Sequence, residues 1–190
     1  MIDTKKFYIN GAWVAPISDR EMEVIDPSTE QVCGTIAIGN QADTDAAVAA
    51  AKAAFDDWSQ TPKARRIVLL KKFLTVYQAR NEEMGRAISL EMGAPIDMAL
   101  TSQAESGSEH TEGLIEELEK FEFERALNDS APKDRIIYEV MGVCAIIIPC
   151  NRPMYLVHLS ACLFYTCYAS DCALWANSVG DLTTDNSTHK

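Results

Sequence analysis

Between Met141 and Pro149 the chain runs Gly142-Val143-Cys144-Ala145-Ile146-Ile147-Ile148 without one charged side chain. A near-continuous apolar run of this length suits a parallel strand buried on both faces, because a strand with one wet face would alternate instead. Parallel strands need crossovers, usually helical, so the run points to an α/β architecture. Asn151-Arg152-Pro153 then opens an expected crossover helix from Met154 to about Tyr168.

The residues before this run change period twice. Lys6 to Val14 holds two short apolar runs around Asn10-Gly11, a hairpin signal because a type I′ turn needs positive φ at both central residues. Glu21 to Ile25 alternates toward the turn cluster Asp26-Pro27-Ser28-Thr29, and Gln31 to Ile38 reads as the next strand. This opening is expected to form a small antiparallel sheet. Helical spacing comes next. Asp43 and Asp45 suit a helix N-terminus, and Val48, Ala51, Phe55 and Trp58 share one face. Thr61-Pro62 reads as an N-cap with proline at the first helical position. A long amphipathic helix with Ile67, Leu70, Leu74 and Tyr77 on one stripe is expected to reach Glu91 and stop at Gly93, before Pro95. A third helical region covers roughly residues 96–120, and after Glu124 the pattern turns extended again.

Composition places the chain among globular proteins, with 47% hydrophobic and 24% charged residues over 190 positions. Its net charge of −11 repels phosphate backbones and argues against nucleic acid as a partner. No apolar run is long enough to cross a bilayer, and the first apolar stretch is broken at once by Asn10-Gly11, so no membrane and a cytoplasmic location are expected. Five of the six cysteines (Cys144, Cys150, Cys162, Cys167 and Cys172) lie beyond residue 143. None forms a C-x-x-C pair, so they read as small apolar fillers that stay reduced, and no metal site is expected.

Several segments, taken in order, resemble the aldehyde dehydrogenase superfamily. Phe7 to Val14 resembles its "INGEWV" hairpin, and Val24 to Glu30 its "NPATGE" turn. Residues 42–58 resemble the "DVDRAVAAARAAFEAW" helix. Arg65 or Arg66 with Leu69-Leu70, and Glu91 to Pro95, match the next helix and its end. Residues 139–151 resemble "EPIGVVGVITPWN". The resemblance runs over roughly residues 5–154 and implies an aldehyde dehydrogenase-like α/β fold, incomplete here. The expected parts are the N-terminal strands, the helical layer and part of a bridging arm in residues 1–140. The start of a Rossmann-type dinucleotide-binding sheet would lie in 141–176, with a polar tail in 177–190.

The resemblance implies the family reaction, in which NAD or NADP oxidises an aldehyde to a carboxylic acid through a cysteine thioester. An asparagine amide helps to hold the oxyanion, since an uncharged donor can point at developing negative charge without a counter-ion. That asparagine falls on Asn151, whose plain alternative role is to cap the following helix. The strands corresponding to Phe121–Leu127 and Arg135–Val140 would help to form an arm packing on a neighbouring subunit. A homo-oligomer or a pairing with a full-length paralogue is therefore an expected partner state.

Departures from the pattern oppose activity. Val140 and Cys150 replace the proline and tryptophan of the pattern, Ser160 stands at the helix lysine, Tyr168 at the helix-ending glycine, and Leu174 to Asn177 at "LKPSE". No cofactor-binding residue is retained, and the segments carrying the nucleophilic cysteine and the general-base glutamate are absent. The chain is expected to be truncated and inactive by itself, the alternatives being an interaction module or an active dehydrogenase whose C-terminal part is missing. Cys150, beside Asn151 and Arg152, could be imagined as a substitute thiol but lacks a base partner. Glu91 and Asp97 read as helix-end charges, His158 as a packed histidine, and the acidic residues Glu109, Glu112, Glu116, Glu117 and Glu119 as a solvated helix face.

Overall fold

A computed structural model describes residues 5–148 and 151–154. Strands β1 (Phe7–Ile9) and β2 (Ala12–Val14) pair antiparallel across Asn10 and Gly11, at φ 52° and 76°. Strands β3 (Glu21–Asp26) and β4 (Gln31–Ala37) pair across a turn held by Asp26, whose carboxylate accepts from the Ser28 amide and hydroxyl and from the Thr29 hydroxyl. The opening is antiparallel, as expected from the sequence, and is built as two separate two-stranded sheets. Each strand pairs with its turn neighbour along one edge, and nothing in the alternation forces a second pairing.

Helix α1 (Gln41–Ser59) begins two residues before Asp43, because Asn40 is the cap. The Asn40 side chain accepts from the Ala42 and Asp43 amides, while the Asp43 carboxylate returns a bond to the Asn40 amide. This is a reciprocal capping box. The other oxygen of Asp43 accepts from the Ile17 amide at 2.8 Å, tying α1 to the connection between the hairpins. Phe7 is buried and seats its ring against Gly39, where an added Cβ would lie 3.3 Å from the ring.

The long helix expected from Thr61 to Glu91 is two helices, α2 (Lys63–Ala79) and α3 (Asn81–Met92). Arg80 leaves helical geometry at φ −117°, and its amide closes back on Tyr77. Asn81, a poor helix-interior residue, starts the next helix there. Thr61 does not cap α2: its hydroxyl donates to the Asp57 carbonyl, and Pro62 occupies the cap position. Gly93 ends α3 in the left-handed region as expected, at φ 75°, with Pro27 of the β3–β4 turn filling the space a side chain would need.

The third helical region is continuous but not uniform. A short helix α4 (Ile96–Met98) passes through a π-helical turn (Ala99–Ala104) into α5 (Glu105–Lys120). Leu70 of α2 packs on Leu114, Ile115 and Leu118 of α5, with Ile67, Leu74 and Phe123 around them. A second cluster joins Ile88 and Ala94 to Ala99 and Ala104 of the π-turn. Gly85 lets the two come together, since a Cβ there would meet the Leu100 Cα at 3.0 Å. The acidic residues of α5 are exposed, as their spacing implied.

Strands β5 (Glu124–Asn128) and β6 (Ala131–Ile137) form a third antiparallel hairpin, within the region read as the arm. The apolar run beyond it does not become a strand. Apart from a single bridge at Gly142, residues 143–148 carry no sheet pairing, and Met141 and Ile147 are 79% and 66% exposed. A parallel strand draws its hydrogen bonds from neighbours, and the described residues supply none. The expected crossover helix begins at residues 153 and 154; its remainder lies outside the described residues. Cys33 is a free thiol, whereas Cys144 is disulfide-bonded, which departs from the expectation that the cysteines beyond residue 143 stay reduced.

Candidate functional site

The turn carrying Asn151 is seated against the small-residue face of α5. Ser106, Gly107, Ser108 and Thr111 are all buried there, and Met154 is buried on top of them. The fit depends on Gly107, where an added Cβ would lie 2.8 Å from the Met154 Cβ and 2.8 Å from the Tyr77 hydroxyl oxygen. Arg152 reaches from the same turn to Ser102, its Nη2 3.5 Å from the Ser102 hydroxyl. Asn151 is exposed, and no hydrogen bond to a described residue fixes its amide. The amide is therefore open to an outside acceptor, and its side chain makes no capping bond to the described start of the next helix.

Tyr77 supports this arrangement from α2. Its hydroxyl donates to the Ala104 carbonyl at 2.6 Å, at the junction where the π-turn passes into α5. A π-turn disturbs the regular register of carbonyls, and a side-chain donor at its end satisfies one of them. Burial pushes the Tyr77 phenol up to about 12, so the neutral donor form persists through the physiological range. Nothing in the sequence alone distinguished Tyr77 from the core stripe on which it lies.

Two cations in this layer are occupied by helix ends. Arg66 is buried and donates to the carbonyls of Trp58, Ser59 and Thr61 at the end of α1, with its guanidinium 5.4 Å from the centre of the Trp58 ring. Lys63 donates to the Glu119 and Phe121 carbonyls at the end of α5. Both positions also complement a helix dipole. They line an open depression of about 510 Å³ together with Phe55, Phe123, Tyr138 and Glu139.

The remaining candidates divide in the same way. Glu91 lies in the last turn of α3 and Asp97 in the first turn of α4, and neither carboxylate accepts a bond from a described residue. Glu91 is solvent-exposed as a residue, yet enough protein surrounds its carboxyl for desolvation to raise it above its ordinary range. The two do not form an acid–base pair. Among the described residues no cluster of His, Cys, Asp or Glu could hold a metal, and no helix is long and apolar enough to cross a membrane. Cys150, His158, Ser160, Tyr168 and Leu174 lie outside the described residues.

Separate hairpins, a helical layer and a third hairpin beyond it define an α/β protein of partial extent, and comparison with known proteins identifies its class. The family model "Aldehyde dehydrogenase family" matches residues 13–168. The chain belongs to the aldehyde dehydrogenase family. It is 40% identical over 155 residues to a 3-succinoylsemialdehyde-pyridine dehydrogenase from a Pseudomonas species, covering 81% of this chain and 32% of that protein. Among solved structures, it is similar to an aldehyde dehydrogenase from Bartonella henselae, with a TM-score of 0.83 and 40% identity over 87% of this chain and 36% of the other. It is also similar to a mutant of aldehyde dehydrogenase C from Pseudomonas syringae solved with NAD+ and octanal. That match has a TM-score of 0.76 and 39% identity, and covers 82% of this chain and 31% of that one. The chain spans about a third of the length of the curated relatives it matches.

Proposed function

We propose that these 190 residues supply the N-terminal layer of an aldehyde dehydrogenase, with Asn151 as the oxyanion donor of the assembled enzyme, and do not by themselves turn over substrate. The family reaction is NAD(P)-dependent oxidation of an aldehyde to a carboxylic acid. The observation that carries the Asn151 assignment is the seating of its turn on α5, with Met154 buried at Gly107 and the Asn151 amide bonded to no described residue. A rigid support with an open amide suits a donor aimed at developing negative charge.

NAD or NADP is the cofactor the family implies, but the described residues do not fit a dinucleotide. Residues 143–148, where the cofactor sheet would begin, are not built into a sheet. No glycine-rich turn leads from a paired strand into a helix among them. On this reading the nucleophile and general base of the family reaction are not among these residues, and no hydride step passes through them.

Purified chain mixed with NAD+ or NADP+ and a panel of aldehydes is expected to give no rise in nicotinamide absorbance. Reproducible turnover would sink the proposal. A second reading, a module that pairs with a neighbouring subunit, is favoured by apolar exposure on and beside the β5–β6 hairpin, where Leu127, Ile137 and Tyr138 are exposed. Light scattering on the same preparation separates the readings, since a concentration-independent monomer that ignores a full-length relative excludes the module.

A further inference from the structure

We propose that Asn10 is a site of spontaneous deamidation that inserts isoaspartate into the first hairpin and releases it from the helical layer. This inference is independent of the function proposed above. Three features of the turn combine. Asn10 is exposed, and its carboxamide makes no hydrogen bond to a described residue. The Gly11 amide, which would be the attacking group, has no acceptor either, because the strand bonds flank it at Ile9 and Ala12. Space around Gly11 is open, with nothing within 4 Å of where a Cβ would stand.

Ring closure needs Asn10 to leave the left-handed backbone that the closed turn fixes at φ 52°, so reaction waits on opening. Opening is easy here. β1 and β2 have three residues each and pair with no other strand among the described residues. A two-stranded ribbon that short is marginal, and its fixed point is the docking of Phe7 beside Gly39. Once open, the Gly11 amide gives its proton to hydroxide, and its nitrogen bonds to the Asn10 Cγ. The bond from Cγ to the side-chain nitrogen breaks, that nitrogen takes a proton from water and regenerates hydroxide, and ammonia leaves a five-membered succinimide. Water then adds to either imide carbonyl, giving aspartate at position 10 or isoaspartate, and no oxidant is needed.

The two products differ in consequence. Aspartate keeps the turn geometry and adds one negative charge. Isoaspartate routes the main chain through an extra methylene, which a two-residue turn cannot absorb while keeping Ile9 opposite Ala12 and Phe7 opposite Val14. The Tyr8 and Trp13 rings, 5.3 Å apart edge to face across the strands, would then separate.

The full chain, incubated at mildly alkaline pH with and without urea and then digested for mass analysis, tests this. Folded chain is expected to lose the Asn10 amide within about tenfold of the rate in urea, since opening of a frayed element carries little free-energy cost. Isoaspartate should accumulate at position 10, with loss of the Trp13 near-ultraviolet signal on the same time course. The Asn10→Asp variant should keep that signal when fresh, which separates the extra methylene from the added charge. Folded-state conversion slower than that margin, or an aged chain whose Trp13 signal is unchanged, overturns the proposal.

Discussion

Arg66→Ala is expected to lower the unfolding free energy by about 2–4 kcal/mol, the largest single-residue effect in the helical layer. The guanidinium serves the three carbonyls of Trp58, Ser59 and Thr61 where α1 ends and the chain turns into α2. Hydrogen bonds to a charged group are each worth about 1.5–3 kcal/mol, and the stacked Trp58 ring adds roughly 0.5–1 kcal/mol. The sum is not reached, because the depression beside Arg66 is open and water can take over some of the carbonyls. Arg66→Lys should recover less than half of the loss, since one ammonium cannot reproduce a planar fork serving three acceptors. Urea midpoints of the three proteins decide the matter. An alanine variant within about 0.5 kcal/mol of the parent would show that the α1–α2 corner does not depend on this side chain.

Gly107→Ala is expected to cost about 1–3 kcal/mol by overpacking, and to do so at the seat of the Asn151 turn. Its new methyl would stand 2.8 Å from Met154 and 2.8 Å from the Tyr77 oxygen. The Met154 side of the contact belongs to a turn held by the 3.5 Å approach of Arg152 to Ser102, whereas Tyr77 is clamped by its bond to Ala104. The turn should therefore yield first. Tyr77→Phe alone should cost about 1 kcal/mol for the lost bond. Combined with Gly107→Ala it should cost less than the two together, because removing the hydroxyl also removes one of the clashes. Strict additivity in urea unfolding would mean that the alanine is relieved elsewhere.

Much of this fold was legible in the sequence where the signal is local. Asn10-Gly11 fixed its hairpin because few residues accept left-handed geometry, and Gly93 ended α3 for the same reason. The family itself could be read from ordered motifs, which sample many positions at once. The missed features are those in which a residue answers a distant partner. The break at Arg80 competes with an unbroken apolar stripe, so periodicity passed over it. Asn40 and Asp43 carry the capping pattern in plain sight, three residues apart, but the polar residues around them diluted it. The run at 142–148 looked like a buried strand because its composition says where it would be stable, not whether neighbours are present to pair with it. Asn151 was singled out by resemblance alone, and the packing of Met154 from the same turn on Gly107 could not be read, since a glycine inside a helix announces no partner.

The π-turn at Ala99–Ala104 has a consequence for lineage and alignment. Such a turn holds roughly one residue more than the α-helical turn it replaces, and so rotates the downstream helix by about 100°. Residues 96–120 therefore cannot be drawn on a single regular helical wheel. A relative lacking one residue between 99 and 104 could keep both flanking faces in place by running a plain α-helix through. Length variation in this helix would then mark the gain or loss of the bulge, and a gap placed beyond Lys120 would misalign every buried residue of α5.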